Sequence, residues 1–317
     1  MMDVTAVGEL LVDLTAEGTN GEGYPVLSAH PGGAPCNFLA ALSKYGVGTA
    51  FLGKVGQDMF GDLLVGTLKA AGINTAGIVQ DPAVFTTMAF VALDEKGERR
   101  FSFARKPGAD TRLRFDECDL SLVDRAGVFH FGTLSLTDEP ARDATRRLAA
   151  YARERGKWIT FDPNLRLPLW EDLERARAEI LWGLSAADVV KLSDDEADFL
   201  WGCAPEEAAR KLLDEYAVKL AFVTLGAKGC VYANRLGMGR AVSAAQVQVV
   251  DTTGAGDIFG GSALSRLLAL GRAPEDVPPE ELSAIAAFAC TAATLSTRSH
   301  GGISSVPPMD EVLGFLK

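Results

Sequence analysis

Asp251-Thr252-Thr253-Gly254-Ala255-Gly256-Asp257 stands immediately before an apolar, helix-like run from Ile258 to Leu270. Its small residues let the backbone turn sharply, and a glycine turn at a helix start aims several N–H groups at one anion. The helix dipole favours negative charge at the same place. A transferring phosphoryl group is the natural guest. Asp257, ionised at neutral pH, can accept the proton of a hydroxyl that attacks phosphorus. The alternative, for this stretch by itself, is an ordinary loop in which Asp257 caps the helix.

Outward from this turn, short apolar runs alternate with longer amphipathic ones. Val4 to Val12, Ala50 to Val55, Val128 to Phe131, Trp158 to Phe161, Val189 to Leu192 and Leu220 to Leu225 read as strands. Asn37 to Tyr45, Phe60 to Ala71, Ala141 to Arg155 and Glu206 to Tyr216 read as helices between them. Such a βα sequence predicts a doubly wound, mainly parallel sheet with helices on both faces and ligands at the carboxyl ends of the strands. Two stretches break the pattern. Phe85 to Arg105 holds two strand-like runs around Asp94-Glu95-Lys96-Gly97-Glu98, which suggests an antiparallel hairpin, and Thr15 to Pro31 lacks a helical period. Segments of about 15–31 and 85–112 are therefore expected to form a small β lid. With no repeat or low-complexity linker, residues 1–317 are expected to form one domain.

Composition limits the partners. A chain of 317 residues with 48% hydrophobic and 23% charged residues has ample material for a buried core. Its net charge of −11 argues against nucleic acid or an anionic membrane as partner, so a polyanionic substrate must be held by local donors and metal ions. Cys36, Cys118, Cys203, Cys230 and Cys290 show no CxxC spacing and read as reduced thiols. Asp3, Glu9 and Asp13 interrupt any N-terminal apolar run, and no transmembrane span is apparent. The expected location is the cytoplasm. His30, His130 and His300 lack metal-ligand spacing, and none is assigned a catalytic role.

A second motif is Pro31-Gly32-Gly33-Ala34-Pro35-Cys36-Asn37. Its glycines permit close approach of backbone to ligand, and Asn37 offers both donor and acceptor, a combination suited to a polyhydroxylated molecule. A tight entry turn into the next helix is the alternative. Asp13, after the first strand, can accept hydroxyl hydrogen bonds or serve as a loop residue.

Together these two motifs, at their spacing, resemble the paired signatures of the ribokinase-like (PfkB) carbohydrate kinases, and the likeness runs from Val4 to Val306. Within that family the chain is most similar to bacterial fructokinases. The residues that carry this are Gly8-Glu9-Leu10-Leu11-Val12-Asp13, Phe129-His130-Phe131-Gly132, Asp162-Pro163-Asn164-Leu165-Arg166-Leu167-Pro168-Leu169-Trp170 and Lys191-Leu192-Ser193-Asp194-Asp195-Glu196.

The resemblance implies the ribokinase-like α/β fold and transfer of the γ-phosphoryl group of ATP to a sugar, with the six-position hydroxyl of fructose as acceptor. Asp257 is then the base and Gly254, Ala255 and Gly256 the anion hole; donors of this type contribute about 3 to 4 kcal/mol each. Asp13, Gly32, Gly33 and Asn37 are expected to hold the sugar, with Arg105 closing over it from the lid hairpin or standing as a solvated cation there. Asn164, Arg166, Lys191, Thr224, Gly226 and Gly229 are expected along the ATP phosphates and ribose, Arg166 neutralising charge on the γ-phosphoryl group. Glu196 would organise Mg2+ through water, with the Ser193 hydroxyl where many members have asparagine. Cys290 stands where the family commonly has asparagine beside adenine. Asp251, Thr253 and the 296–305 loop with Ser305 are expected to hold K+. Ribose, 2-keto-3-deoxygluconate or a nucleoside are alternative acceptors within the family, and a non-catalytic sugar-binding protein is the alternative outside it. A homodimer through the exposed lid edge is also expected.

Overall fold

The computed structural model describes residues 3–93 and 99–317. Strand β1 (Asp3–Val7) opens a main sheet, and β2 (Leu11–Thr19) and β3 (Pro25–Gly32) form a hairpin in a second, smaller one. β4 (Thr49–Gly56) and β5 (Asn74–Asp81) return to the main sheet; β6 (Met88–Leu93) and β7 (Arg99–Ala104) complete the smaller one. The remaining strands, β8 (Ala126–Gly132), β9 (Trp158–Asp162), β10 (Val189–Ser193), β11 (Leu220–Thr224), β12 (Cys230–Asn234) and β13 (Gly237–Ala241), all join the main sheet.

The main sheet has nine strands in the order β13-β12-β11-β10-β9-β8-β1-β4-β5. It is parallel from β11 to β5 and turns antiparallel only at β12 and β13. Because successive side chains of a strand face opposite ways, Val4 and Ala6 bury under one helical layer and Val7, like Phe129 and Phe131, under the other. Helices Ala34–Lys44, Ala255–Leu270 and Pro279–Ser296 form the first layer; Ala141–Glu154, Leu173–Ala186 and Pro205–Tyr216 form the second.

The smaller sheet runs β3-β2-β6-β7, with antiparallel outer pairs and a parallel β2–β6 contact at its centre. The β6–β7 pairing, from Met88 opposite Ala104 to Leu93 opposite Arg99, agrees with the expected hairpin, whose turn at 94–98 lies outside the described residues.

One apolar run is divided differently from its pattern. Val4 to Val12 reads as one strand, yet β1 ends at Val7 and the chain re-enters at Leu11 in the other sheet, where the Val12 N–H bonds Thr87 O at 3.1 Å. Gly8 marks the change of sheet: a Cβ there would lie 2.8 Å from Pro35 Cγ. Asp13 is therefore the third residue of β2, opposite His30, rather than a residue beyond a strand end.

The helix carrying Asn37 and the helix carrying Asp257 touch through glycine. A Cβ on Gly261 would fall 2.4 Å from Phe38 O and 2.8 Å from Ala41 Cβ, so only hydrogen fits at this crossing. Gly261→Ala should wedge the two helices apart and lower the unfolding free energy by about 1 to 3 kcal/mol in a urea titration. An unchanged midpoint would show that the crossing carries no packing constraint.

Candidate active site

Residues of the sequence turn are already helical. The helix starts at Ala255, after Gly254 in the left-handed region (φ 76°), so Gly256 and Asp257 lie in its first turn, where N–H groups have no partner within the helix. Asp257 is buried and its Oδ2 accepts a 2.8 Å hydrogen bond from Asn37 Nδ2 across 220 residues of sequence. The Asn37 amide is held between two backbones: a Cβ on Gly254 would lie 3.0 Å from its Nδ2 and one on Gly302 2.2 Å from its Oδ1. That Oδ1 is buried and has no hydrogen-bond partner among the described residues, which leaves an acceptor for a ligand hydroxyl beside the carboxylate.

Burial raises the pKa of Asp257; Asn37, Lys191 and Arg166 work against the rise and Glu196 adds to it. Lys191 Nζ reaches both oxygens of Asp162, at 3.1 and 3.0 Å, and lies 3.1 Å from where a Cβ on Gly256 would stand. Burial alone would lower the Lys191 ammonium, but Asp162, Glu196 and Asp257 outweigh it and keep it charged. Burial lifts Asp162 to about 7, with Lys191 opposing and the other two carboxylates assisting. One lysine thus serves three carboxylates under the glycine turn. Asp162, read in the sequence only as part of a motif, belongs to the site; its signal was its place at the end of β9.

Glu196 fixes the next loop. Its Oε2 accepts the Ser193 N–H and its Oε1 the Leu165 N–H, both at 2.8 Å, while Ser193 Oγ accepts the Glu196 N–H at 3.1 Å. This capping box starts the helix Asp194–Trp201 and pins the 164–166 segment to it. The Ser193 hydroxyl oxygen therefore serves as a helix cap. Asn164 takes a left-handed conformation (φ 45°), its N–H 3.2 Å from Asp162 Oδ1. Arg166 follows, exposed, and among the described residues its guanidinium hydrogen-bonds only Leu165 O, at 3.2 Å.

On the smaller sheet, Asp13 Oδ2 lies 2.6 Å from where a Cβ on Gly32 would be, and Gly33 (φ 123°) presses on Glu9 O. Arg105 is not a solvated cation of the hairpin. It follows β7, is buried, and donates to Asp110 Oδ2 (2.8 Å), Thr137 Oγ1 (2.8 Å) and Leu134 O (2.7 Å), riveting the base of the smaller sheet to the main body. With its guanidinium so engaged, it does not reach over the site as a free group. Glu9 and Asp110, which the sequence did not single out, are buried beside these residues.

Toward the antiparallel end, Thr224 ends β11 with its Oγ1 3.4 Å from Leu192 O, and Gly226 is exposed in the turn that follows. Gly229 packs so closely on β13 that a Cβ would lie 2.0 Å from Ala241 O. Cys290 Sγ lies 3.7 Å from Cys230 Sγ and 3.8 Å from Ala241 O, inside the apolar core. The strand pair β12–β13, which the sequence reading did not identify, covers it. Asp251 accepts from Thr253 N at 2.8 Å and Gly301 N at 3.2 Å, and Ser305 Oγ donates to Gly302 O at 3.1 Å, so the 251–254 turn and the 300–305 loop meet.

His130, mid-strand in β8, stacks on Phe38 at 3.8 Å and bonds Thr160 Oγ1 at 2.9 Å; burial, with Lys191 nearby, lowers it to about 3. It is a neutral structural imidazole. A cavity of about 530 Å³ lies at the opposite ends of β1, β4 and β5 and is lined by no carboxylate, so it offers no base. Among the described residues no three His, Cys, Asp or Glu side chains form a metal cage, and no helix is long and apolar enough to cross a membrane.

Comparison with known proteins bears on the chain as a whole. The model of the pfkB family of carbohydrate kinases matches residues 1–309. Fructokinase-1 of Zea mays is 41% identical over 99% of this chain and 97% of its own. The fructokinase of Xylella fastidiosa with bound ATP superposes with a TM-score of 0.90 at 32% identity, covering 100% of this chain and 98% of that one. A fructokinase of Vibrio cholerae O395 with bound fructose, ADP and calcium ion gives 0.86 at 30% identity, covering 100% and 99%. Its double mutant, with potassium ion in place of calcium, gives 0.85 at 30% identity over the same shares. The architecture is the ribokinase-like one, shared also with a putative ribokinase II of E. coli at a TM-score of 0.87. From end to end the chain belongs to the pfkB family of carbohydrate kinases, and its chemistry is phosphoryl transfer to a sugar.

Proposed function

We propose that this protein is an ATP-dependent fructokinase that converts D-fructose and ATP to D-fructose 6-phosphate and ADP. The observation that supports it most directly is the Asn37–Asp257 hydrogen bond, which joins the polyol motif to the carboxylate at a helix N-terminus. Asp257 takes the proton of the sugar hydroxyl as its oxygen bonds to the γ-phosphorus, and the bond to the ADP oxygen breaks. The raised pKa makes Asp257 a stronger base than an ordinary carboxylate. The N–H groups of the Gly254–Gly256 turn meet the phosphoryl oxygens, and Lys191 and the exposed Arg166 supply positive charge. Asn164, Thr224, Gly226 and Gly229 line the way to the nucleotide. Asp13 and Gly32 approach the sugar from the smaller sheet, which closes as a lid over one catalytic unit and keeps water from the phosphate. Arg105 acts in this reading by anchoring the lid.

Mg2+ fits the donor set. Asp162, Glu196 and Asp257 repel one another, and each Glu196 oxygen, having accepted one N–H, keeps a lone pair for a metal-bound water. The ion would arrive with ATP and offset phosphate charge. For K+, Asp251, Thr253, Ser305 and the carbonyls of their loop offer the hard oxygens that an alkali cation takes. The five free thiols accord with the cytoplasm. Leu27 and Phe90 are exposed on one face of the smaller sheet, with Tyr24 in the turn before β3, and offer a second copy of the chain apolar contacts.

Asp257→Asn should retain ATP affinity while kcat falls by roughly a hundred- to ten-thousand-fold; near-normal turnover would remove Asp257 as base. Because the base must be ionised, kcat of the native protein should fall as pH drops through the raised Asp257 pKa, above the usual aspartate range, and the residual rate of the variant should lose that limb. Measured ADP release with magnesium ATP should select fructose over ribose, 2-keto-3-deoxygluconate and adenosine, and rise when K+ is added. Selection of another acceptor would move the specificity within the same mechanism. Light scattering on a micromolar solution should give twice the chain mass; a monomer throughout would dismiss the lid dimer.

A further inference from the structure

Glu9 lies in the link between β1 and β2 and is 2% exposed. Its Oε1 accepts the Ala34 N–H at 2.8 Å, and its backbone oxygen receives the Cys36 thiol at 3.8 Å. Gly33 presses on that same oxygen, where a Cβ would come within 2.4 Å. The helix Ala34–Lys44 begins at Gly33 with no side-chain cap of its own and no acidic residue in its first turn. A helix start needs an acceptor for its first N–H groups and favours negative charge. Glu9 supplies both from 25 residues away.

We propose that Glu9 is a positioning residue for sugar binding: its carboxylate caps the helix Ala34–Lys44 from the link between the two sheets and so sets where Asn37 and the Gly32–Gly33 backbone stand. This rests on the sugar-kinase reading above and deepens it. The link is also where the smaller sheet leaves the main one, so the group that holds the sugar loop sits at the pivot of the lid. Arg105 and Asp110 face Glu9 from the riveted base of the smaller sheet, and the Cys36 thiol and, beyond it, Asp257 from the helix side.

Burial pushes Glu9 up to about 7; its own amide and that of Ala34 pull it back, Asp110 adds to the rise and Arg105 opposes it. The sign follows. Above about 7 the carboxylate is charged and the cap is strong; below it the group is protonated and the bond to Ala34 weakens. The KM for fructose should therefore rise as pH falls through this value, while Asp257 governs kcat.

The test compares the native protein with Glu9→Gln and Glu9→Ala. In protein labelled isotopically at alanine, the Ala34 amide resonance should shift with a midpoint near the Glu9 value in the native chain and stay flat in Glu9→Gln, which keeps an uncharged acceptor. The KM for fructose should rise about three- to tenfold more on acidification in the native protein than in Glu9→Gln, the difference between a charged and a neutral hydrogen bond. Glu9→Ala should show a raised KM at every pH. A native Ala34 amide that does not titrate, or a Glu9→Gln variant whose KM keeps the native pH dependence, overturns the proposal. A titrating amide in a protein that phosphorylates no sugar upholds the cap and strikes the sugar-kinase reading alone.

Discussion

Three carboxylates, Asp162, Glu196 and Asp257, lie in one another's field at the carboxyl ends of the strands, and the site depends on how that charge is contained. Lys191 is the central counter-charge. Its bidentate hold on Asp162 is buried, and removing one partner of such a pair commonly costs about 3 to 5 kcal/mol because the other is left uncompensated. The remaining compensation comes from a helix N-terminus, the amides that Glu196 accepts, and Arg166. In the proposed reading the helix N-terminus and Arg166 also receive the phosphates of a nucleotide. The features that make the folded chain tolerate its own acidity are those that recognise a polyanion.

Containment is incomplete, and the pKa shifts measure the cost. Glu9, Asp162 and Asp257 are all raised, which means the folded state holds protons that the unfolded chain has released. Between the ordinary carboxylate range and about 7, stability therefore falls as pH rises, the reverse of a carboxylate stabilised by pairing. Asp58 shows the opposite case on the same molecule: burial would raise it, but bonds from the amides of Thr86, Gly61 and Phe60 and from the Thr86 hydroxyl outweigh burial and lower it. Asp58 caps a helix and ties the β5–β6 crossover in place, so its ionisation stabilises. Buried acids left with too few donors mark where function sets the sequence.

Much of this was legible in order along the chain. The Asp251–Asp257 stretch carries its own instructions, since a glycine turn followed by an apolar helical run builds a helix N-terminus from local rules, and the run of short apolar segments gives the parallel sheet. Asn37 could be singled out because its motif has the same local logic, and the fold brings it to Asp257. Glu9, Asp162 and Asp110 were missed because their partners, Ala34, Lys191 and Arg105, are specified by packing between elements and not by neighbouring residues. The burial of Cys290 was not legible because β13, Gly237-Met238-Gly239-Arg240-Ala241, has almost no apolar period; its backbone pairing with β12 makes it a strand beside the thiol. The run from Val4 to Val12 deceived for the opposite reason, having one continuous period across two sheets.

That division explains why the smaller sheet is made from two separated stretches of chain. Asp13 and Gly32 come from β2 and β3, whereas Asn37 and Asp257 stand on helices of the main body. A site split this way is complete only when the two parts are in register, and the connections that set the register are short. Gly8-Glu9-Leu10 joins β1 to β2, Gly33 alone joins β3 to the Asn37 helix, and Arg105 with Asp110 fixes the end of β7. Short, buried, hydrogen-bonded joints transmit a tilt of the sheet to the sugar loop without a long flexible segment to absorb it. In the proposed reading, a sugar that bridges both parts favours closure, and closure removes the water that would otherwise compete as phosphoryl acceptor.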